Sequence, residues 1–517
     1  MTSKAIQFLT RASNPGISAL LVLYVLAWVL SHLVSDTNLD PYGDMLENFA
    51  WGQEFAWGND KHPPLLGWIS GMWFSIFPTN QASYHLLAYG NAALGLAGIY
   101  VLAGRLGLQK IALAAAVVMS LALPYSTLAV KFNANTILLP LWPWVVVAWL
   151  SSQSAGLATQ SGKRFLWAGL LGVLAALCLL GKYYSGVLLL SLGIITLATL
   201  QGRQWLASPY PWIALTVALL TLAPHLIWLG ANDFATFQYV QDQGGGEIDL
   251  RQLGKFMLIP VGYWLIAWLA AVFSVPGALP RGLWLSWLPR GRGDVLFWLA
   301  WLPFLLTLMF GLTGFVSLSL PWAIPMGFAF SILWYRNLIT GASEEVISSV
   351  AGRSTKIFMG WLCLVLLLSP IYAWQQGEAG NKNYYLPRQE SALMLMSLWQ
   401  QSQSEPLVWV SGDVPEAGLV AFYGDPEIRI LNQAPAQPTA GGVIFCPLGI
   451  VQNGVKGEVN ANPPVTTACT RAADHWSAGR AEQVIKAEYS VAKSGLRFFQ
   501  HIPFRYRVYL YEHRAAK

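Results

Sequence analysis

The sequence predicts a polytopic α-helical membrane protein of about eleven spans, followed by a C-terminal water-soluble α/β domain. Three observations carry that prediction. The 517 residues are 55% hydrophobic and only 11% charged, against about 25% charged in ordinary soluble domains. The charges between Ile17 and Trp374 sit almost entirely in short gaps between apolar runs, whereas the chain after Gln375 has ordinary soluble composition. The 25 Trp residues suit a membrane–water boundary, where one edge of an indole is apolar and the other wet.

Runs of about 20 apolar residues are needed to cross a bilayer as helices. Candidates lie near 15–34, 83–103, 111–126, 136–150, 165–181, 184–200, 211–230, 256–275, 295–312, 314–335 and 357–374. The fifth and sixth are short and separated only by Gly181-Lys182-Tyr183. The first run is too long for a cleaved leader and lacks a small-residue cleavage site after it. With the N-terminus placed in the cytoplasm, the inner gaps hold Lys4, Arg11, Arg105, Lys110, Lys163, Arg164, Arg203, Arg281, Arg290, Arg292, Arg336, Arg353 and Lys356. The outer gaps hold only Lys61, Lys131, Lys182, Arg251 and Lys255. The positive-inside rule therefore favours this orientation. An odd number of spans then leaves the tail outside. Residues 1–375 form the multispan domain, with a long outer loop over 35–82, and residues 376–517 form the outside domain. The net charge of +6 comes largely from the inner loops and needs no nucleic-acid partner.

In the tail, Leu407–Val410, Leu419–Tyr423, Ile428–Leu431, Val443–Cys446 and Arg505–Tyr511 read as strands, and a stretch around Ser391–Ser402 reads as a helix. Pro435 to Gly442 and Asn460 to Pro464 read as loops. Cys178 and Cys363 lie in apolar runs and read as packing residues. Cys446 and Cys469 share the outside domain, where an oxidising compartment can join them or leave a free pair.

Polar content gathers in the outer segments, so any chemistry is expected on that face. The sequence has no P-loop, Rossmann fingerprint, metal motif or internal repeat, and the lack of a nucleotide motif speaks against an ATP-driven pump. The first outer loop reads Asp-Pro-Tyr-Gly-Asp-Met-Leu-Glu-Asn-Phe-Ala-Trp-Gly over 40–52, then Asp-Lys-His-Pro-Pro-Leu-Leu-Gly-Trp over 60–68. On a helix, Asp44 and Glu47 share a face, with Trp51 one turn further. Lys61 and His62 precede Pro63-Pro64, a pair that restricts the backbone before it. A carboxylate and a fixed cation at a bilayer surface suit hydroxyl activation and phosphate binding. Solvated loop acids and a helix-starting proline pair remain the alternative on spacing alone.

This loop resembles that of the GT-C type membrane glycosyltransferases, the superfamily of protein O-mannosyltransferases and lipid A aminoarabinose transferases. They carry an acidic pair in the first outer loop, an aromatic-rich helix ending near Trp-Gly, and a Lys- or His-Pro-Pro-Leu element. The resemblance implies that Asp44 is the catalytic carboxylate. The second acid of the pair is replaced by Met45, and Glu47 is its candidate substitute one turn on. Phe132-Asn133-Ala134-Asn135-Thr136 has Asn135 where such proteins commonly have Asp. Leu179-Leu180-Gly181-Lys182-Tyr183-Tyr184, Pro224-His225-Leu226-Ile227-Trp228 and a Trp322/Pro325 pair complete the similarity, which covers roughly 15–375.

The resemblance implies an inverting transferase that moves one sugar from an isoprenyl-phosphate donor, itself a substrate; the scheme requires no cofactor or metal, and use of a divalent metal is left open. The expected acceptor is an envelope glycolipid such as lipid A, at the outer face of a bacterial inner membrane. In that scheme Asp44, assisted by Glu47, is the base. Lys61, His62, Lys182, Tyr183 and Arg251 hold the donor phosphate, and Trp51, Asn135 and Tyr184 contact acceptor or sugar. Ordinary readings stand beside these. Lys182 can snorkel from a helix end, His225 can be a packing residue, and Gly244–Gly246 can be a mobile loop or a lid. Two other functions remain: a secondary transporter, and a polymerase or ligase of lipid-linked glycans. The spans carry almost no mid-membrane charge, which disfavours the transporter. The acidic loop with Lys-His-Pro-Pro favours transfer of a single sugar over the polymerase.

Overall fold

The computed structural model describes residues 15–36, 38–40, 43–153, 161–236, 238, 248–378, 386–412, 414–450, 467–493 and 503–512. Lys4, Arg11, Gly244–Gly246 and the segment Asn460–Pro464 lie outside them. The chain divides into two compact units. One holds 56–66 and 86–366, together with the beginning of the chain up to Val29. The other holds 30–55, 67–85 and 367–517.

Each of the eleven apolar runs is helical, yet they do not all have the length and regularity of a span. Among the described residues seven helices are long and apolar enough to cross a membrane, and nine if each of two bent pairs makes one span. The full-length ones include Gln81–Arg105, Tyr210–Ala231 and Val295–Leu312. The bent pairs are Gln109–Met119 with Leu123–Val130, at 78°, and Tyr183–Ala198 with Leu200–Leu206, at 104°. Pro124 stands at the first of these breaks, where it removes a backbone donor. Two runs fall short of the expected eleven. The helix Leu138–Gln153 has only 16 residues and contains Pro143. The run near 314–335 becomes a 3₁₀ segment, Leu320–Ala329, with Pro321 and Pro325, followed by the helix Phe330–Leu338. Prolines at that spacing cannot sustain an α ladder. Large apolar side chains such as Leu220 and Ile227 stay exposed on a span, as a lipid-facing helix requires. The chain is a multi-pass membrane protein.

The second unit contains a five-stranded sheet: β1 Trp409–Gly412, β2 Arg429–Leu431, β3 Gly442–Ile450, β4 Val484–Val491 and β5 Phe504–Tyr511, in spatial order β2-β1-β3-β5-β4. β1 runs parallel to β2 and β3, with Val410 opposite Val443. β5 is antiparallel to β3 and β4, with Val443 opposite Leu510. The expected helix near 391–402 is present as Arg388–Ser402. Leu419–Tyr423 is not a strand. It ends the helix Val414–Tyr423, which crosses between parallel β1 and β2 as such pairs require. Its apolar residues Ala417, Leu419, Val420, Ala421 and Phe422 are all buried, so the continuous apolar run marks burial rather than a pleat. On one face of the sheet Trp409, Ile444, Cys446, Tyr509 and Tyr511 form a core with Ala473. Cys446 of β3 is joined to Cys469 of the helix Ala468–Ala478 by a disulfide.

The parts of the first outer loop on either side of 56–66 pack within this second unit. Asp44–Glu54 is a helix that crosses Leu65–Phe74 with backbones touching. A Cβ on Gly52 would lie 2.6 Å from the Gly71 nitrogen and 2.9 Å from its Cα. Gly52→Ala must therefore push two backbones apart. It should destabilise the unit by about 1–3 kcal/mol, seen as a lower unfolding midpoint of the detergent-purified protein. An unchanged midpoint would mean that this crossing is not tightly packed.

Candidate functional site

The strap that carries Lys61 and His62 is held from several directions. The Asn59 side chain accepts the backbone N–H groups of Lys61 and His62 at 3.0 and 2.6 Å, a local turn favoured by Asn. The Asn59 carbonyl accepts the Thr236 hydroxyl at 2.8 Å. Gly58 lies against the Trp228 ring, where a Cβ would approach to 2.3 Å. His225 Nδ1 is 2.6 Å from the Trp57 carbonyl. A carbonyl only accepts, so Nδ1 carries the proton, and in the neutral ring Nε2 accepts from Tyr183 Oη at 2.5 Å. His225 therefore ties the strap to Tyr183, a role beyond simple packing.

Lys61, His62, Lys182, Tyr183 and Tyr184 line one cavity of about 910 Å³ in the first unit. These are five of the residues anticipated from the sequence. Lys182 follows the helix Ser161–Gly181 and starts the short 3₁₀ turn Tyr183–Ser185, which aligns the three side chains at the mouth of a break. Its ammonium donates to Asn135 Oδ1 at 2.6 Å and lies 5.6 Å from the centre of the Trp322 ring. Asn135 thus contacts the cation directly. The Tyr184 hydroxyl pairs with the Thr307 hydroxyl at 2.5 Å, and its ring lies 5.0 Å from Trp322. Leu190, Phe310, Phe315, Leu318 and Leu320 supply an apolar wall. The lining thus combines lysine ammonium groups with hydrocarbon side chains.

Arg251 is exposed and does not line this cavity; Gln252 and Lys255 of the same helix, Leu250–Met257, do. The Asp249 side chain caps that helix by accepting from Arg251 N and Gln252 N at 2.9 and 3.0 Å. Arg251 and Lys255 are one turn apart and share a face of that helix, but the cavity reaches Lys255 and not Arg251, which the spacing of charges does not reveal. Among the described residues no group of three or more His, Cys, Asp or Glu side chains is gathered to hold a metal ion.

His62 is held well below its ordinary value, at about 3, first by burial and then by the nearby Lys182 and Lys61 ammonium groups. It is therefore a neutral hydrogen-bonding group at neutral pH. Between pH 6.5 and about 3 the folded chain binds fewer protons at His62 than the unfolded one, so this site costs stability as pH falls through that window. In ¹³C-histidine-labelled protein, the resonance missing from His62→Gln should not titrate between pH 8 and 5. A midpoint near 6.5 would mean that no cation-flanked, buried environment exists there.

Asp44, Glu47 and Trp51 belong to the second unit. Gly43 takes a left-handed conformation, φ 82°, immediately before Asp44, and Asp40 supplies the cap. Its Oδ2 accepts Asp44 N at 2.9 Å and its Oδ1 accepts Met45 N at 3.1 Å. Tyr84 Oη donates to the Met45 carbonyl at 2.6 Å. Asp44 and Glu47 are half-buried, and Trp51 packs beside Gly67.

Residues 61–228 match the family described as dolichyl-phosphate-mannose-protein mannosyltransferase. That segment is of GT-C glycosyltransferase type. The matched segment contains Lys61, His62, Lys182, Tyr183 and Tyr184 of the cavity lining, together with their partners Asn135 and His225. Comparison with curated proteins found no significant match. The oligosaccharyltransferase of Archaeoglobus fulgidus, crystallised with Zn and sulfate, aligns with a TM-score of 0.40 and 11% identity. The alignment covers 79% of this chain and 62% of that one, so this chain spans less than two thirds of that protein's length.

Proposed function

We propose that the protein transfers a single sugar from an isoprenyl-phosphate donor to an envelope glycolipid such as lipid A, at the outer face of a bacterial inner membrane. The observation that carries this reading is the cavity, which joins Lys61, Lys182 and Lys255 to an apolar wall within a glycosyltransferase-type chain. The donor phosphate occupies the cationic part, and the isoprenyl chain follows the wall. Asp44, assisted by Glu47, takes the proton of the acceptor hydroxyl as its oxygen attacks the anomeric carbon with inversion. The bond from that carbon to the phosphate oxygen breaks, and both electrons leave with the isoprenyl phosphate. Its added negative charge is stabilised by the lysine ammonium groups and by a hydrogen bond from His62, and Tyr183 joins them when its hydroxyl turns from His225 to the phosphate. Tyr184, Asn135 and Trp51 orient sugar or acceptor. No metal takes part in this scheme, so EDTA leaves the rate unchanged.

The test is mass spectrometry of lipids from cells with and without the protein, paired with transfer by the purified protein from a synthetic isoprenyl-phosphate sugar. A glycolipid heavier by one sugar supports the reading. A ladder of added sugars would point to a polymerase. Uptake into proteoliposomes without covalent transfer would point to a transporter.

A further inference from the structure

We infer that the C-terminal domain positions the base, with Arg388 and the Gln53 contacts holding the two ends of the helix that carries Asp44. The inference rests on the assignment of Asp44 as the base and adds residues to it. An isolated helix of 11 residues is marginal in water, so the aim of its first side chain depends on what grips it. At its start, Asp40 satisfies two of the N–H groups that every helix leaves unpaired, those of Asp44 and Met45. Asp40 is buried, 6% exposed, and its own carbonyl accepts from Arg388 Nη1 at 2.9 Å. Two residues earlier, Asn38 Nδ2 donates to the Leu386 carbonyl at 3.0 Å. The opening of the helix Arg388–Ser402 thus clamps the turn that caps Asp44.

At the far end, Gln53 Nε2 donates to the carbonyls of Pro426 and Ile428 at 3.1 and 2.8 Å, and its Oε1 accepts Ile430 N at 3.3 Å. Between the ends, Phe49 meets Phe422 edge-on at 5.3 Å, and Gly418 leaves room for Leu46. Arg388 touches no reacting atom in this scheme. It is a positioning residue that acts through Asp40 on Asp44, and the soluble domain is part of the catalytic apparatus.

The experiment uses full-length protein, with kcat and donor KM measured for Arg388→Ala, Arg388→Lys, Asp44→Asn and the Arg388→Ala/Asp44→Asn pair. A misplacement of about 1 Å can cost roughly 10²-fold in rate, so Arg388→Ala should lose about 10- to 100-fold in kcat with donor KM unchanged. Arg388→Lys should recover part of the loss, because an ammonium still donates to the Asp40 carbonyl. The double variant should be no slower than Asp44→Asn alone. Wild-type kcat in Arg388→Ala, an additive double variant or a parallel rise in donor KM would each overturn the inference. If Arg388→Ala does not fold, Gln53→Ala takes its place under the same criteria. Substantial activity in Asp44→Asn overturns the base assignment itself. An inactive Asp44→Asn beside a fully active Arg388→Ala overturns only the positioning role.

Discussion

Asp44→Asn should insert and fold normally yet transfer sugar roughly 10²- to 10⁴-fold more slowly, the usual contribution of a general base. Folding should survive because the interaction that fixes this turn runs through the Asp44 backbone N–H to Asp40, and a carboxamide has nearly the same shape. Catalysis should fail because a carboxamide does not take up a proton at neutral pH. The measurement is kcat with a synthetic isoprenyl-phosphate sugar, on protein whose donor binding has been checked. A rate within about tenfold of wild type, well short of a base's typical contribution, would remove Asp44 from the mechanism. Glu47→Gln separates the two acids: a smaller loss there fits a supporting carboxylate, and an equal loss fits shared base duty.

Lys182→Ala should raise the donor KM by roughly 10- to 100-fold, since hydrogen bonds to charged groups contribute about 1.5–3 kcal/mol. The ammonium is already fixed by Asn135 and the face of Trp322, so little side-chain freedom is lost when it meets a phosphate. kcat should fall as well, because the charge on the leaving phosphate grows during bond breaking. Lys61→Ala should weaken donor binding in the same direction. Equilibrium binding of a non-transferable isoprenyl phosphate checks both, and unchanged affinity in both variants would exclude these lysines as phosphate ligands.

Much of this arrangement was legible in the sequence because it is local. Runs of apolar residues marked helices, and Gly181-Lys182-Tyr183-Tyr184 marked a polar break between two of them. Cys446 and Cys469 fell together in a domain of soluble composition. What was not legible depends on partners far apart in the chain. The contact of Gln53 with Ile428 spans 375 positions, and Tyr183 with His225 spans 42. β4 was overlooked although Val484–Val491 carries the period-2 pattern of a strand, with Lys486, Glu488 and Ser490 alternating with Ile485, Ala487, Tyr489 and Val491. That Lys255 and not Arg251 lines the cavity depends on where along one short helix the cavity lies, since residues four apart share a face, and charge spacing does not encode that position. Leu419–Tyr423 misled for the opposite reason: a helix buried on all sides has no periodicity to display.

The bond between Cys446 and Cys469 turns part of the chain into a covalent ring, closed across a separation of 23 positions. A single proteolytic nick inside that ring severs the backbone without releasing anything. β4 and β5 would stay tethered to the membrane-embedded part and would come away only on reduction. Shedding of the sheet's last two strands by one cut inside the ring is therefore ruled out in an oxidising compartment, whereas one cut after Cys469 would suffice to free them covalently.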